Sequence, residues 1–205
     1  MDELVRHLNN SRRVLLASHA NPDGDAIGSL IAMGLALQAM GKETVLFNES
    51  QIPAVYRFLP LVDRVVRSIG DVSRFDTAVI LDCGNLDRIG GAAEAVARIP
   101  VIINIDHHIT NSGFGDVRLV DPSACATAEI LWRIVGRLGV ELNESIAAAI
   151  KSSGVEEKVN HKSVMLPGGV AVLSGKLEEE SGWSVQVGPR ESSGLPTVLR
   201  AWSPN

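Results

Sequence analysis

Five short runs rich in β-branched and aliphatic residues, at 14–17, 44–47, 78–81, 101–105 and 117–120, are separated by segments with helical spacing over the first three quarters of the chain. Parallel strands need crossover connections of a dozen or more residues, usually helical, so this alternation predicts an α/β fold with a mostly parallel sheet flanked by helices. The expected helices fill 26–40, 92–98, 127–138 and 144–150. In the third, Ile130, Leu131, Ile134, Val135 and Leu138 share one stripe, which should lie on the sheet. Gly41 follows the first, in the position where a left-handed residue commonly closes a helix. With 45% hydrophobic residues over 205 positions, a substantial core can form.

Three of the runs end in chemistry-bearing residues. His19-Ala20-Asn21-Pro22-Asp23-Gly24-Asp25 follows the first, Asp82 closes the third and Asp106-His107-His108 closes the fourth. Open α/β sheets bind ligands at the carboxyl ends of their strands. Four carboxylates and three imidazoles delivered there offer mixed oxygen and nitrogen ligands for two divalent cations, a set suited to phosphate-ester hydrolysis. Exposed N–H groups at the start of the helix after Asp23 favour phosphate oxygens. Asn-Pro-Asp-Gly alone is an ordinary turn with a capping aspartate, but that reading leaves the polar residues at the other two strand ends unexplained. The metal reading covers all of them. Cys83 is read as strand-end packing, Asp121 as a turn or helix-entry residue, and Thr127 and Glu129 as helix capping and surface.

A net charge of −5 argues against a broad basic surface for long nucleic acid and leaves small or short anionic substrates held through metals. Residues 1–10 are charged and polar, unlike a secretory signal, and the apolar stretch 27–40 is short for a bilayer span. Cys83 and Cys125 lie far apart, as suits a reducing compartment. These features predict a soluble cytoplasmic protein without a membrane partner.

His19 to Ser29, reading H-A-N-P-D-G-D-A-I-G-S, with Leu81 to Gly90 and the I-D-H-H of Ile105 to His108, resembles the DHH phosphoesterase superfamily and most closely its nano-RNase branch. That resemblance covers about 14–150. It implies a bifunctional oligoribonuclease and 3′-phosphoadenosine 5′-phosphate (pAp) phosphatase using two manganese ions, with magnesium or cobalt as alternatives. It implies His19, Asp23 and Asp82 on one metal, and Asp25, Asp82 and His107 on the other, with Asp82 bridging. His108 would face the scissile phosphate or orient its neighbour, and Asp106 would fix an imidazole tautomer. Arg88 would touch substrate phosphate, against the competing reading of a surface ion pair. A homodimer is a further implication. DHH-type inorganic pyrophosphatases begin with a similar motif, although Gly24 and Ala26 fit the oligoribonuclease type better. A non-catalytic metal or nucleotide binding module is the remaining alternative.

After Ile150 the periodicity fails and Ser/Gly punctuation takes over, so a phosphoesterase domain over 1–150 and an atypical tail over 151–205 are expected. All 11 aspartates lie at or before Asp121. Relatives of the resembled branch carry one more after the helix corresponding to 144–150, and a glycine-rich segment in a smaller C-terminal domain; neither has a counterpart here. Truncation or a changed reading frame is the leading account of the tail, with Glu156, Glu157 or His161 as substitute ligands, or a role in partner binding, as the others. Residues 170–173 and 183–187 are expected as strands joined through Glu178-Glu179-Glu180.

Overall fold

The computed structural model describes residues 1–57, 59–140, 154–157, 159–166, 174–189 and 194–202. They fall into two compact units, Met1–Val140 and Glu141–Asn205. The division precedes the boundary expected at 150/151 by ten residues. The helix expected over 144–150 and the strand over 170–173 lie outside the described residues.

The first unit is an α/β sandwich. Its strands are β1 (Arg13–Ser18), β2 (Glu43–Phe47), β3 (Thr77–Leu81), β4 (Val101–Asp106) and β5 (Val117–Val120). They stand in the order β2-β1-β3-β4-β5, and every neighbouring pair is parallel. In this order the chain reverses direction across the sheet between β1 and β3, which opens a crevice at their carboxyl ends. The helices are α1 (Asp2–Asn10), α2 (Gly24–Ala39), the single turn α3 (Ala93–Val96) and α4 (Thr127–Arg137).

Apolar runs without alternation suit strands buried on both faces. Val14, Leu16, Val79, Leu81, Ile103 and Ile105 face one core, which α2 and α4 close with Ile27, Leu30, Ile130 and Ile134. The intervening Leu15, Ala17, Ala78, Ile80 and Ile102 face a second, closed by Phe75, Ile89, Val96 and Ile99. Helix α2 is buried around most of its circumference, including Ile27, Leu30, Met33 and Leu37. Gly34 lets it approach β2: a Cβ there would stand 3.1 Å from the Leu46 side chain. Helix α2 begins two residues before the expected start because Asp23 caps it, accepting from Ala26 N at 3.0 Å. At its other end Gly41, at φ +74°, allows Lys42 N to reach Leu37 O and Gly41 N to reach Gln38 O. The helix expected over 92–98 shrinks to α3.

Helix α1 was not expected. Its polar sequence carries only two leucines, but Leu4 and Leu8, four apart on one face, are 1% and 0% exposed and join the core with Val117.

In the second unit β6 (Ser163–Leu166) pairs in parallel with β7 (Ser184–Val187), with α5 (Ser174–Ser181) between them and α6 (Leu195–Ala201) following. Leu166, Leu177 and Trp183 are buried. The expected strand over 183–187 corresponds to β7. Glu178-Glu179-Glu180, read as a connector, belongs to α5, and β6 had no counterpart in the sequence reading. Among the described residues no helix is long and apolar enough to cross a membrane.

Because Leu8 is fully buried, Leu8→Ala is expected to cost roughly 2–5 kcal/mol. Urea unfolding followed by circular dichroism checks this; an unchanged midpoint for the first unit would show that α1 is dispensable to it.

Candidate metal centre

Strand β3 stops at Asp82, a non-glycine residue at φ +59°. Aspartate tolerates this left-handed conformation better than most residues. The turn holds its side chain 2% exposed, and Asp82 N donates to Ile105 O at 3.0 Å. The two carboxylate oxygens then serve different neighbours. Oδ2 lies 3.6 Å from His19 Nε2, while Oδ1 lies 3.7 Å from both His107 Nε2 and His108 Nδ1. His19 Nε2 is also 3.9 Å from Asp23 Oδ1, and His107 Nε2 is 3.7 Å from Asp25 Oδ2. The ligand atoms of His19, Asp23 and Asp82 lie within 4.8 Å of one another, as do those of Asp82, His107 and His108. Asp82 belongs to both groups.

These separations are too long for hydrogen bonds. Ligand atoms each about 2.1 Å from one cation stand roughly 3–4 Å apart, the spacing seen here. The imidazoles are also prepared for coordination. His19 Nδ1 donates to Ala20 O at 2.9 Å, His107 Nδ1 to Ala124 O at 3.3 Å and His108 Nδ1 to Asp106 Oδ1 at 2.7 Å. Since a carbonyl only accepts, the first two bonds put the proton on Nδ1 and leave the Nε2 lone pair bare. Metal-binding histidines are commonly held this way. Asp106, fully buried, also accepts from Asn111 Nδ2 at 2.6 Å, so two donors fix its carboxylate.

The electrostatics point the same way. Burial, and then the neighbouring Asp82 charge, raise the Asp25 carboxyl above its usual range, against the lowering effect of N–H donors from Thr127 and Ala128. Burial also acts to raise Asp82, but His19 and the Thr127 hydroxyl outweigh it and leave Asp82 below the usual range. His19 is raised chiefly by Asp82, against burial. A pocket whose carboxylates repel one another fits positive charge, and the donor set fits divalent cations. Cys83 is fully buried, and burial followed by the Asp82 charge pushes its thiol far up, so it stays a neutral packing group.

The structure thus brings together His19, Asp23, Asp25, Asp82, Asp106, His107 and His108. One grouping differs from the implied ligand set: the second cluster gathers His108 with Asp82 and His107, while Asp25 meets it through His107. Arg88 stands apart, exposed in the 3-10 turn Leu86–Ile89, whose Arg88 carbonyl accepts from Ala20 N at 2.7 Å. It makes no ion pair among the described residues, and its charge is felt at His19. Asp121 forms a turn, accepting from Ser123 N at 3.1 Å. Thr127 departs from its expected capping role. It is buried, and its hydroxyl donates to Asp82 Oδ1 at 2.9 Å. The readable signal was Ala126, the N-cap of α4, which offers no side-chain acceptor.

Comparison with known proteins agrees with the fold. Residues 13–153 match the model of the DHH family N-terminal domain, and the chain belongs to the DHH family. Over 140 residues, 67% of the chain, it is 37% identical to the bifunctional oligoribonuclease and PAP phosphatase NrnA of Thermus thermophilus, spanning 40% of that protein. The crystal structure of an exopolyphosphatase-related protein from Bacteroides fragilis superposes with a TM-score of 0.69 at 22% identity, over 87% of this chain and 56% of that one. That likeness shows the fold. Residues 135–199 match a second model, the CO dehydrogenase/acetyl-CoA synthase delta subunit. A 58-residue stretch, 28% of the chain, is 50% identical to the corrinoid/iron-sulfur protein large subunit of Moorella thermoacetica and spans 13% of it. The chain therefore spans less than half the length of these two relatives.

Asp106→Asn leaves one oxygen where two donors, from His108 and Asn111, now find acceptors. The His108 ring is expected to lose its single tautomer, read from long-range ¹H–¹⁵N correlations of the imidazoles. A pattern identical to wild type would show that Asp106 does not set it.

Proposed function

We propose that the chain is a metal-dependent phosphoesterase that hydrolyses short oligoribonucleotides and pAp at a site for two manganese ions. The observation that carries this reading is the division of Asp82, one oxygen turned to His19 and the other to His107 and His108. Support for the substrate class comes from the 37% identical relative named for those activities. Two divalent cations bound there would supply Lewis-acid activation of water and neutralisation of phosphate charge. His19 and Asp23 would hold one, Asp25 and His107 the other, with Asp82 between them.

The remaining residues act on orientation. Asp106 holds the His108 ring through Nδ1, leaving Nε2 to face the scissile phosphate. The first turn of α2 carries N–H groups that favour phosphate oxygens. Arg88, without an ion-pair partner among the described residues, is assigned to substrate phosphate. Catalysis is assigned to residues 1–150, and 151–205 to a separate segment that lacks the further aspartate and glycine-rich motif of the resembled branch. A cytoplasmic location and a homodimer complete the reading.

The test is manganese-dependent phosphate release from pAp and cleavage of di- to pentaribonucleotides by the full chain, with Asp82→Ala as blank. Wild-type hydrolysis at least about 100-fold above that blank, abolished by EDTA, is the expected result. Release from pyrophosphate alone would select the pyrophosphatase alternative, and nucleotide binding under manganese without turnover would select a binding module.

A further inference from the structure

One short segment at the start of α4 meets three of the candidate ligands. The Ala124 carbonyl accepts from His107 Nδ1 at 3.3 Å. Thr127 N donates to Asp25 Oδ2 at 2.8 Å, and Ala128 N to Asp25 Oδ1 at 3.0 Å. The Thr127 hydroxyl donates to Asp82 Oδ1 at 2.9 Å. Asp25 thus caps α4 across 102 positions of sequence, replacing the acceptor that Ala126 lacks.

We propose that Thr127 is a positioning residue of the metal centre, whose hydroxyl fixes the Asp82 carboxylate in the orientation that shares it between the two ligand groups. The inference rests on the metal-centre reading above. A carboxylate turns easily about its last bond, because that torsion is broad and roughly two-fold. The imidazoles on either side stand at 3.6–3.7 Å, beyond hydrogen-bond distance, and give it no directed bond. The hydroxyl supplies a directed bond to one oxygen. Thr127 is fully buried, so no bulk water competes for that hydroxyl. Its backbone N–H is held by Asp25, and its β-branched side chain has few rotamers, so the donor is fixed before any ion arrives.

The experiment is calorimetric titration of the full chain with manganese, with melting of the metal-free proteins alongside. Thr127→Val keeps the shape and removes the donor; Thr127→Ser keeps the donor. The Val variant is expected to lose about 10–100-fold in manganese affinity, and the Ser variant to stay within about threefold of wild type. A merely structural role would lower the metal-free melting temperature of Val while leaving affinity unchanged. That result, or equal affinity losses in Val and Ser, overturns the proposal. Thr127→Ala makes the same comparison should the Val variant not fold. Because the ratio is read on binding alone, a wild-type chain that binds manganese without hydrolysing pAp or oligoribonucleotides defeats the catalytic reading, not this one. A wild-type chain that takes up no manganese overturns both.

Discussion

Crowding of buried negative charge is the constraint around which the first unit is arranged. Asp82 and Asp106 are almost wholly buried at adjacent strand ends, and Asp25 stands close enough to feel the Asp82 charge. Carboxylates in such surroundings are tolerated only when paired or well hydrogen-bonded. The fold supplies three imidazoles, the amides of α4, a threonine hydroxyl and the Asn111 amide. They come from the ends of β1 and β4, from the start of α4 and from the segment after β4, so the parallel sheet must hold its strand ends in fixed register for these groups to meet the carboxylates together.

Helices α2 and α4 serve this register from one side of the sheet. Asp23 caps α2, and Asp25, two residues later, caps α4. The end of the loop after β1 therefore starts one helix, and that helix's first turn ties down another. Arg88 closes the same loop from the opposite flank through its carbonyl, while Asn48 Nδ2 donates to His19 O at 2.8 Å from the end of β2. His19 is consequently fixed by groups from several parts of the sheet.

The five strands and α2 were legible because strands buried on both faces read as continuous apolar runs, and a deeply buried helix reads as a long one. The polar residues at the strand ends stood out against that background. Helix α1 did not, since its contribution to the core reduces to Leu4 and Leu8. The partners of Thr127, Ala124 and Asn111 were hidden for another reason. Thr127 meets Asp82 across 45 positions, and which hydroxyl reaches which carboxylate is settled by packing rather than by local pattern. In the second unit, elements as short as β6 and β7, four residues each, leave too little periodicity to separate from Ser/Gly punctuation. A match to a different family over 135–199 gave that segment a relative that motif reading alone did not.

The candidate ligands arrive from the ends of β1, β3 and β4 and are braced by α4, so no local stretch of chain can build the centre by itself. It exists only once the non-local parallel pairings have formed, which are the slow steps in folding sheets of this kind. An ion that binds only the finished arrangement ties three strand ends together and adds its binding free energy to the stability of the whole unit. Under the metal-centre reading, metal occupancy and resistance to unfolding would for that reason be two readings of one equilibrium.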